Sequence, residues 1–182
     1  MTAIILDRDG VINYDSDHYI KSPDEWHPIP GSLNAIAELN RAGFKIYVAT
    51  NQSGISRGLY TLDTLALIHA KLHDALSPLG GKIEEIFFCP HHPDLKCYCR
   101  KPNPGMLFEI RNKHHLKLEE TYFVGDTITD IKAALTAGCK PLLVLTGNGK
   151  TTLTKHPEYA SIPYFEDLAS VASHVISSKN AS

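Results

Sequence analysis

Two short clusters carry the residue types from which a reaction can be built. Asp7-Arg8-Asp9-Gly10 follows the apolar run Ala3-Ile4-Ile5-Leu6, which has the length and branching of a buried strand. Two carboxylates two residues apart can hold a hard cation, attack an electrophile or exchange protons. Asp and Gly are also ordinary turn residues, so a solvated strand-to-turn junction is the competing reading of these four residues alone. The second cluster is Cys89-Pro90-His91-His92-Pro93-Asp94-Leu95-Lys96-Cys97-Tyr98-Cys99. Cys89, His91, Cys97 and Cys99 make a closed tetrahedral Zn²⁺ set, which is a structural site because no ligand position stays open. His91 is preferred to His92 because Cys89-x-His91 then mirrors Cys97-x-Cys99; unrelated buried thiols are the alternative. Arg100-Lys101-Pro102 comes straight after the last ligand, so a zinc-held loop would fix a basic pair over a phosphate site. Lone Cys139, in Ala137-Gly138-Cys139, reads as a small buried residue.

These residues need elements to hold them. Strand-like runs recur at Phe44–Ala49, Ile83–Phe88, Thr121–Val124 and Pro141–Leu145. Between them apolar residues fall at helical spacing. Ser32–Arg41 carries Leu33, Ile36, Ala37 and Leu39 and stops at Gly43; Leu62–Leu76 carries Leu65, Ile68, Leu72 and Leu76. Pro104–His115 opens with Pro in its first turn, Thr129–Ala137 ends at Gly138, and Asp167–Ile176 closes the series. The alternation predicts an α/β fold, a Rossmann-like doubly wound parallel sheet with helices on both faces. Residues 1–182 are expected to form a single domain, with 89–99 as an inserted zinc loop and 177–182 as a frayed tail. Two irregular stretches, 13–30 and 89–104, carry aromatic or metal-binding types and read as functional loops. His69, His73, His114 and His115 fall in predicted helices and read as surface residues, and Trp26 as loop packing.

Composition narrows the class. With 182 residues, 43% hydrophobic and 21% charged, the chain can build a real core. A formal charge of −2 gives no electrostatic basis for nucleic acid or an anionic membrane as partner. No apolar run reaches the roughly 18 residues of a membrane span, and no signal layout precedes the first strand. A cytoplasmic location is the expectation. A disulfide framework is disfavoured in such a chain. No exposed heptad or spare apolar helix stands out, so a monomer is expected.

Four polar clusters follow four predicted strands: Asp7 and Asp9; Thr50-Asn51-Gln52-Ser53; Arg100-Lys101; and Gly125-Asp126 with Asp130 beyond. The strand ends of a doubly wound sheet open on one edge, so the clusters can converge. Together they supply a nucleophile, an acid–base partner, carboxylates for Mg²⁺, and donors for phosphoryl oxygens. The ordered set Asp7-x-Asp9-Gly10, Thr50, Lys101 and Gly125-Asp126-x-x-x-Asp130 resembles the four-motif signature of the haloacid dehalogenase superfamily of phosphatases, over nearly the whole chain. The resemblance implies that Asp7 attacks phosphorus and becomes an aspartyl phosphate. It implies that Asp9 protonates the leaving oxygen and then activates water. It also implies Mg²⁺ on Asp7, Asp126 and the Asp9 backbone carbonyl, with Thr50 and Lys101 on the phosphoryl oxygens. Asp130, one helical turn after Asp126, is expected to serve Lys101 or a metal-bound water; a favoured charge at a helix N-terminus explains it equally.

The Cys-x-His…Cys-x-Cys-Arg-Lys-Pro element resembles one branch of that superfamily. The branch holds the D-glycero-D-manno-heptose 1,7-bisphosphate 7-phosphatases of heptose and lipopolysaccharide biosynthesis, and the histidinol-phosphate phosphatases. Thr50-Asn51-Gln52-Ser53-Gly54-Ile55-Ser56-Arg57-Gly58 is similar to the heptose enzymes, whose loop carries Ser and then a basic residue at these places. Two departures cut the other way. The spacer between His91 and Cys97 is short, as in the histidinol form, and Thr127 stands where many heptose enzymes have Lys. The heptose bisphosphate is the first expectation; histidinol phosphate or another small phosphate ester is the alternative. Substrate contacts are expected from Asp15, Asp17 and His18, from Asn51, Gln52, Ser53 and Arg57, and from Arg100 and Lys101. Arg suits a second phosphate, although Arg57 is equally a solvated loop charge. The first gap is too short for a cap domain, so an open site walled by the zinc loop is expected. A phospho-accepting receiver domain would need its Asp at the third strand, where Cys89 stands. A zinc-stabilised nucleic-acid module would need a basic face.

Overall fold

The computed structural model describes residues 2–181. The strands are β1 (Ala3–Leu6), β2 (Lys45–Asn51), β3 (Glu85–Cys89), β4 (Tyr122–Gly125), β5 (Lys140–Val144) and β6 (Tyr164–Phe165). The helices are α1 (Ser32–Arg41), α2 (Leu62–Leu76), α3 (Gly105–His114), α4 (Ile128–Ala137), α5 (Gly149–Lys155) and α6 (Leu168–Asn180). The strands form one sheet in the order β3-β2-β1-β4-β5-β6, parallel throughout. This is the doubly wound order, in which the chain reverses its direction of winding beside β1 and leaves a crevice at the carboxyl ends there.

Side-chain alternation along each strand divides the core into two layers. Ile4, Leu6, Ile46 and Val48 point to one face and pack with Ile36, Leu39, Ile68, Leu72 and Val171 of α1, α2 and α6. Ala3, Ile5, Tyr47, Ala49 and Phe123 point to the other and meet Met106, Leu107, Ile110 and Ala133 of α3 and α4. Helices therefore cover both faces. Among the described residues, no helix is long and apolar enough to cross a membrane. Between β1 and α1 lie only a loop and a short 3-10 turn, Pro23–Glu25, which leaves no room for a large cap.

Several expectations change. The sequence pattern gives neither α5 nor β6: Gly149-Lys150-Thr151-Thr152 lacks an apolar stripe and β6 has two residues. The tail does not fray at Ser177, because α6 runs on to Asn180. Lys179 Nζ donates to the Ala42 carbonyl at 2.7 Å and lies over the Phe44 ring, which ties the last turn down. Residue 182 lies outside the described residues. His69 and His114 are half-buried rather than surface residues. The His114 ring lies tilted against Tyr47, with ring centroids 4.6 Å apart, and reaches Glu85 at 2.9 Å. Trp26 is 1% exposed, and Lys71 lies over its ring. Cys139 is buried, as read.

Candidate active site

Register aligns the site. Leu6 pairs with Val48 on one side and Val124 on the other, so Asp7, Thr50 and Asp126 emerge from adjacent strand ends. The β2–β3 ladder runs past Thr50 to the pair Asn51–Cys89. Gln52 N–H then donates to the Cys89 carbonyl at 2.7 Å. Asn51 reaches across, accepting from Lys101 N–H and donating to the Lys101 carbonyl, both at 3.1 Å. The result is a polar cavity of about 230 Å³ lined by Asp7, Asp9, Asp15, Thr50, Asn51, Arg100, Lys101, Asp126, Thr127 and Thr129. Residues 89–99, expected as a zinc loop that walls the site, are not among its lining residues; Arg100 and Lys101, which follow them, are.

Lys101 is the buried centre of charge. Its Nζ lies 2.9 Å from Asp7 Oδ1 and 2.7 Å from Asp130 Oδ1. Burial opposes its charge, but Asp130 and Asp7 outweigh that and hold the ammonium above its usual range. Asp7 is pushed well above the carboxylate range, by burial first and then by Asp130. Asp126 rises to about 7 for the same two reasons, against the pull of the Asn148 N–H. Both readings of Asp130 hold at once. Its Oδ2 accepts from the N–H groups of Asp126 and Thr127 and from the Thr127 hydroxyl, and its Oδ1 pairs with Lys101. Thr127 thus spends its hydroxyl on the helix cap, which gives its presence a structural reason.

Asp9 sits at the cavity edge with its carboxylate held on several sides. Arg8 Nε and Nη2 fork onto it at 2.9 and 3.1 Å, and Asn13 Nδ2 and Gln52 Nε2 donate at 2.8 and 2.9 Å. Arg8 is fully buried, and its Nη1 lies 3.2 Å from His69 Nε2. Burial, then the Arg8 charge, pushes His69 down to about 3, so the imidazole is neutral and accepts.

The donor set fits a divalent cation. Four carboxylates, Asp7, Asp9, Asp126 and Asp130, face two cations, Arg8 and Lys101. Asp126 Oδ1 is buried with no hydrogen-bond partner, an atom in want of a cation. Oxygen donors of Asp7, Asp126 and Asp130 lie within 4.8 Å of one another, and Asp130 is already committed to Lys101 and the cap. The backbone is cut to this purpose at two glycines. Gly10 and Gly147 have positive φ, and a Cβ on either would run into the Asp126 carboxylate.

The second cluster comes together as well. Cys89, Cys97 and Cys99 Sγ and His91 Nδ1 lie 3.2–3.6 Å apart over the contacts they make. Four donors at about 2.3 Å from a zinc ion need only slightly longer edges. Burial pushes Cys97 up, but hydrogen bonds from Cys99 and Cys89 outweigh it and hold the thiol at about 7, while burial and the neighbouring thiols push Cys99 well up. Crowded thiols of unequal acidity suit a metal that would ionise all three. His92 stands aside, with Nδ1 turned to Asp94.

Other expected contacts divide. Asp15, Asn51, Arg100 and Lys101 line the cavity; Asp17, His18, Gln52, Ser53 and Arg57 do not. Arg57 is exposed and lies over the Tyr19 ring. Gln52 and Ser53 are buried beneath the site. Sequence reasoning misses Thr146-Gly147-Asn148. Thr146 Oγ1 donates to the Gly10 carbonyl, and Asn148 N–H to Asp126 Oδ2, each at 2.7 Å. The signal was available: this is a fifth polar cluster, after the fifth strand.

A HAD-hydrolase-like family model matches residues 98–171. The chain is 53% identical over 177 residues to a D-glycero-beta-D-manno-heptose-1,7-bisphosphate 7-phosphatase of Pseudomonas putida, covering 97% of this chain and 100% of the relative. Against the enzyme of that name from Bordetella bronchiseptica the identity is 50%, covering 97% and 98%. A crystal structure of the B. bronchiseptica D,D-heptose 1,7-bisphosphate phosphatase, complexed with magnesium and phosphate, superposes with a TM-score of 0.95 at 49% identity over 98% of this chain and 99% of that one. The Burkholderia thailandensis enzyme gives 0.78 at 40%, over 97% and 99%. Identity at this level across whole chains places the protein: it belongs to the heptose 1,7-bisphosphate phosphatase family of HAD-like hydrolases.

Proposed function

We propose that this protein is a Mg²⁺-dependent phosphatase that removes the 7-phosphate of D-glycero-β-D-manno-heptose 1,7-bisphosphate through an aspartyl-phosphate intermediate. The observation that carries the reading is Asp7, buried at the end of β1, with Lys101 against one oxygen and Asp126 beside it. The relatives named for this activity, similar along the whole chain, support the substrate. The whole chain, residues 1–182, is read as one phosphatase domain acting as a monomer.

Asp7 and Asp126, with the Asp9 backbone carbonyl, would hold Mg²⁺, which when bound supplies positive charge against the phosphoryl oxygens. Lys101 adds a buried ammonium on the same side, and the Thr50 hydroxyl, accepting from Gln52, keeps its own hydrogen for a phosphoryl oxygen. A carboxylate oxygen of Asp7 forms a bond to phosphorus as the sugar–oxygen bond to phosphorus breaks. The leaving oxygen takes its proton from Asp9. Water then attacks phosphorus, gives its proton back to Asp9, and frees Asp7. Arg100 and Asp15, which both line the cavity, are the contacts for the rest of the sugar phosphate. The Cys89–His91–Cys97–Cys99 cluster would hold a structural Zn²⁺, and through the Asn51 clamp it fixes Lys101.

The test is a substrate panel read by phosphate release and phosphorus NMR: both anomers of heptose 1,7-bisphosphate, and histidinol phosphate. The β anomer is expected to lose its 7-phosphate and keep its 1-phosphate. Preference for histidinol phosphate, or release of the 1-phosphate, would overturn the assignment.

A further inference from the structure

We propose that Tyr60 and Gln52 are positioning residues for Asp9: the buried phenol fixes which way the Gln52 amide faces, and the amide fixes the carboxylate that moves the proton. The inference rests on Asp9 being the proton-transfer group. Tyr60 hydroxyl donates to Gln52 Oε1 at 2.5 Å, and Gln52 Nε2 donates to Asp9 Oδ2 and to Thr50 Oγ1, each at 2.9 Å. Tyr60 and Gln52 are 6% and 3% exposed, so water does not substitute freely. An amide presents donors at one end and an acceptor at the other. Turned over, it would set Oε1 against the Asp9 carboxylate and its own N–H groups against a phenol placed to donate. Burial holds the phenol at about 12, so it keeps the hydrogen it gives.

The local backbone is shaped around this contact. A Cβ on Gly54 would run into the Tyr60 ring, so the glycine of Gln52-Ser53-Gly54 makes the space in which the phenol lies. On its other oxygen Asp9 is met by Arg8 Nε and Asn13 Nδ2, and Arg8 is steadied by neutral His69. Two lines of hydrogen bonds therefore run to one carboxylate, Tyr60–Gln52 from the segment joining β2 and α2 and His69–Arg8 from α2 itself. Tyr60 itself does not line the cavity. Its effect on the reaction passes only through Gln52, and proton transfer is sensitive to the placement of the acid.

The experiment compares phenyl phosphate, whose leaving group needs a proton, with 4-nitrophenyl phosphate, whose leaving group does not. Single-turnover cleavage rates are measured for the Mg²⁺-loaded wild type, Tyr60→Phe, Gln52→Met and Asp9→Asn, with KM from steady state. General acid catalysis contributes about 10²–10⁴-fold, so Asp9→Asn is expected to slow phenyl phosphate by ~10² or more and 4-nitrophenyl phosphate far less. Tyr60→Phe is expected to slow phenyl phosphate about tenfold and 4-nitrophenyl phosphate less than about twofold, with KM unchanged, and Gln52→Met to do the same more strongly. If Asp9→Asn is selective but Tyr60→Phe and Gln52→Met slow both esters alike, or neither, the positioning role is overturned while Asp9 keeps its own. If Asp9→Asn is not selective, the reading of Asp9 falls and this inference with it. Gln52→Met tests the same link should Tyr60→Phe fail to fold.

Discussion

Replacing Lys101 by Met should damage the protein twice, and the two effects separate. The Lys101 side chain is 2% exposed, and its Nζ lies 2.9 and 2.7 Å from Asp7 and Asp130. Met keeps most of the stem volume and removes the charge. Breaking a buried ion pair by deleting one partner costs about 3–5 kcal/mol, because the remaining charges stay buried. In a chain of this size ~1 kcal/mol moves Tm by about 2–4 °C, so the variant should melt roughly 6–20 °C below wild type at pH 8. The deficit should shrink on acidification. Asp7 already binds its proton more tightly folded than unfolded, and without Lys101 more so. The native state then binds the extra proton, and stability rises as pH falls through the raised pKa. Catalysis should fall by about 10²–10³ in kcat, the scale of one lost charge-stabilising contact. Calorimetry from pH 5 to 8 without added metal, and phosphate release at pH 8 with Mg²⁺, read the two effects. A Tm within about 3 °C of wild type at pH 8, equivalent to ~1 kcal/mol, together with kcat within a few-fold, would refute this account of the buried triad.

Three further outcomes are expected. Mg²⁺ affinity should tighten as pH rises from 6 to 8, because Asp126 must shed a proton held at about 7 and Asp7 is raised as well; the slope should be about tenfold per pH unit or steeper below that value, and titration calorimetry showing no pH dependence would contradict it. Gly147→Ala should weaken Mg²⁺ binding at least tenfold, since its Cβ collides with the Asp126 carboxylate at a positive φ; unchanged affinity in the same titration would count against the Asp126 site. Protein purified without chelator should carry about one zinc per chain by elemental analysis, and Cys97→Ser should lose both the zinc and several degrees of Tm.

The legible part of this molecule was the part written in short, local patterns. The strand ends carrying Asp7, Thr50 and Asp126 could be found from apolar runs, and winding order brought them together. The cluster of Cys89, His91, Cys97 and Cys99, which could hold a metal, could be picked out because paired donors at close spacing have few other uses. What stayed hidden depended on burial against expectation. Arg8, a charged residue between two carboxylates, reads as solvated, yet it lies wholly inside because Asp9 and His69 absorb its donors. His69 did carry a signal, falling at helical spacing between Leu65 and Leu72 on the buried face of α2. Gln52 looked like a substrate contact because its loop follows a strand end; its burial and its hydrogen bond from Tyr60 place it beneath the cavity. The long reach of Lys179 to Ala42 explains why a small polar tail stays helical, and no local pattern predicts it.

The most direct test of the central claim is to trap the phosphorylated carboxylate. The Mg²⁺-loaded enzyme would be quenched during turnover of heptose 1,7-bisphosphate, treated with borohydride, digested and examined by mass spectrometry. A phosphorylated Asp7 is expected to be reduced to homoserine at position 7, with Asp9, Asp126 and Asp130 unmodified. Turnover that proceeds with Asp7→Asn, or reduction at another carboxylate, would contradict it.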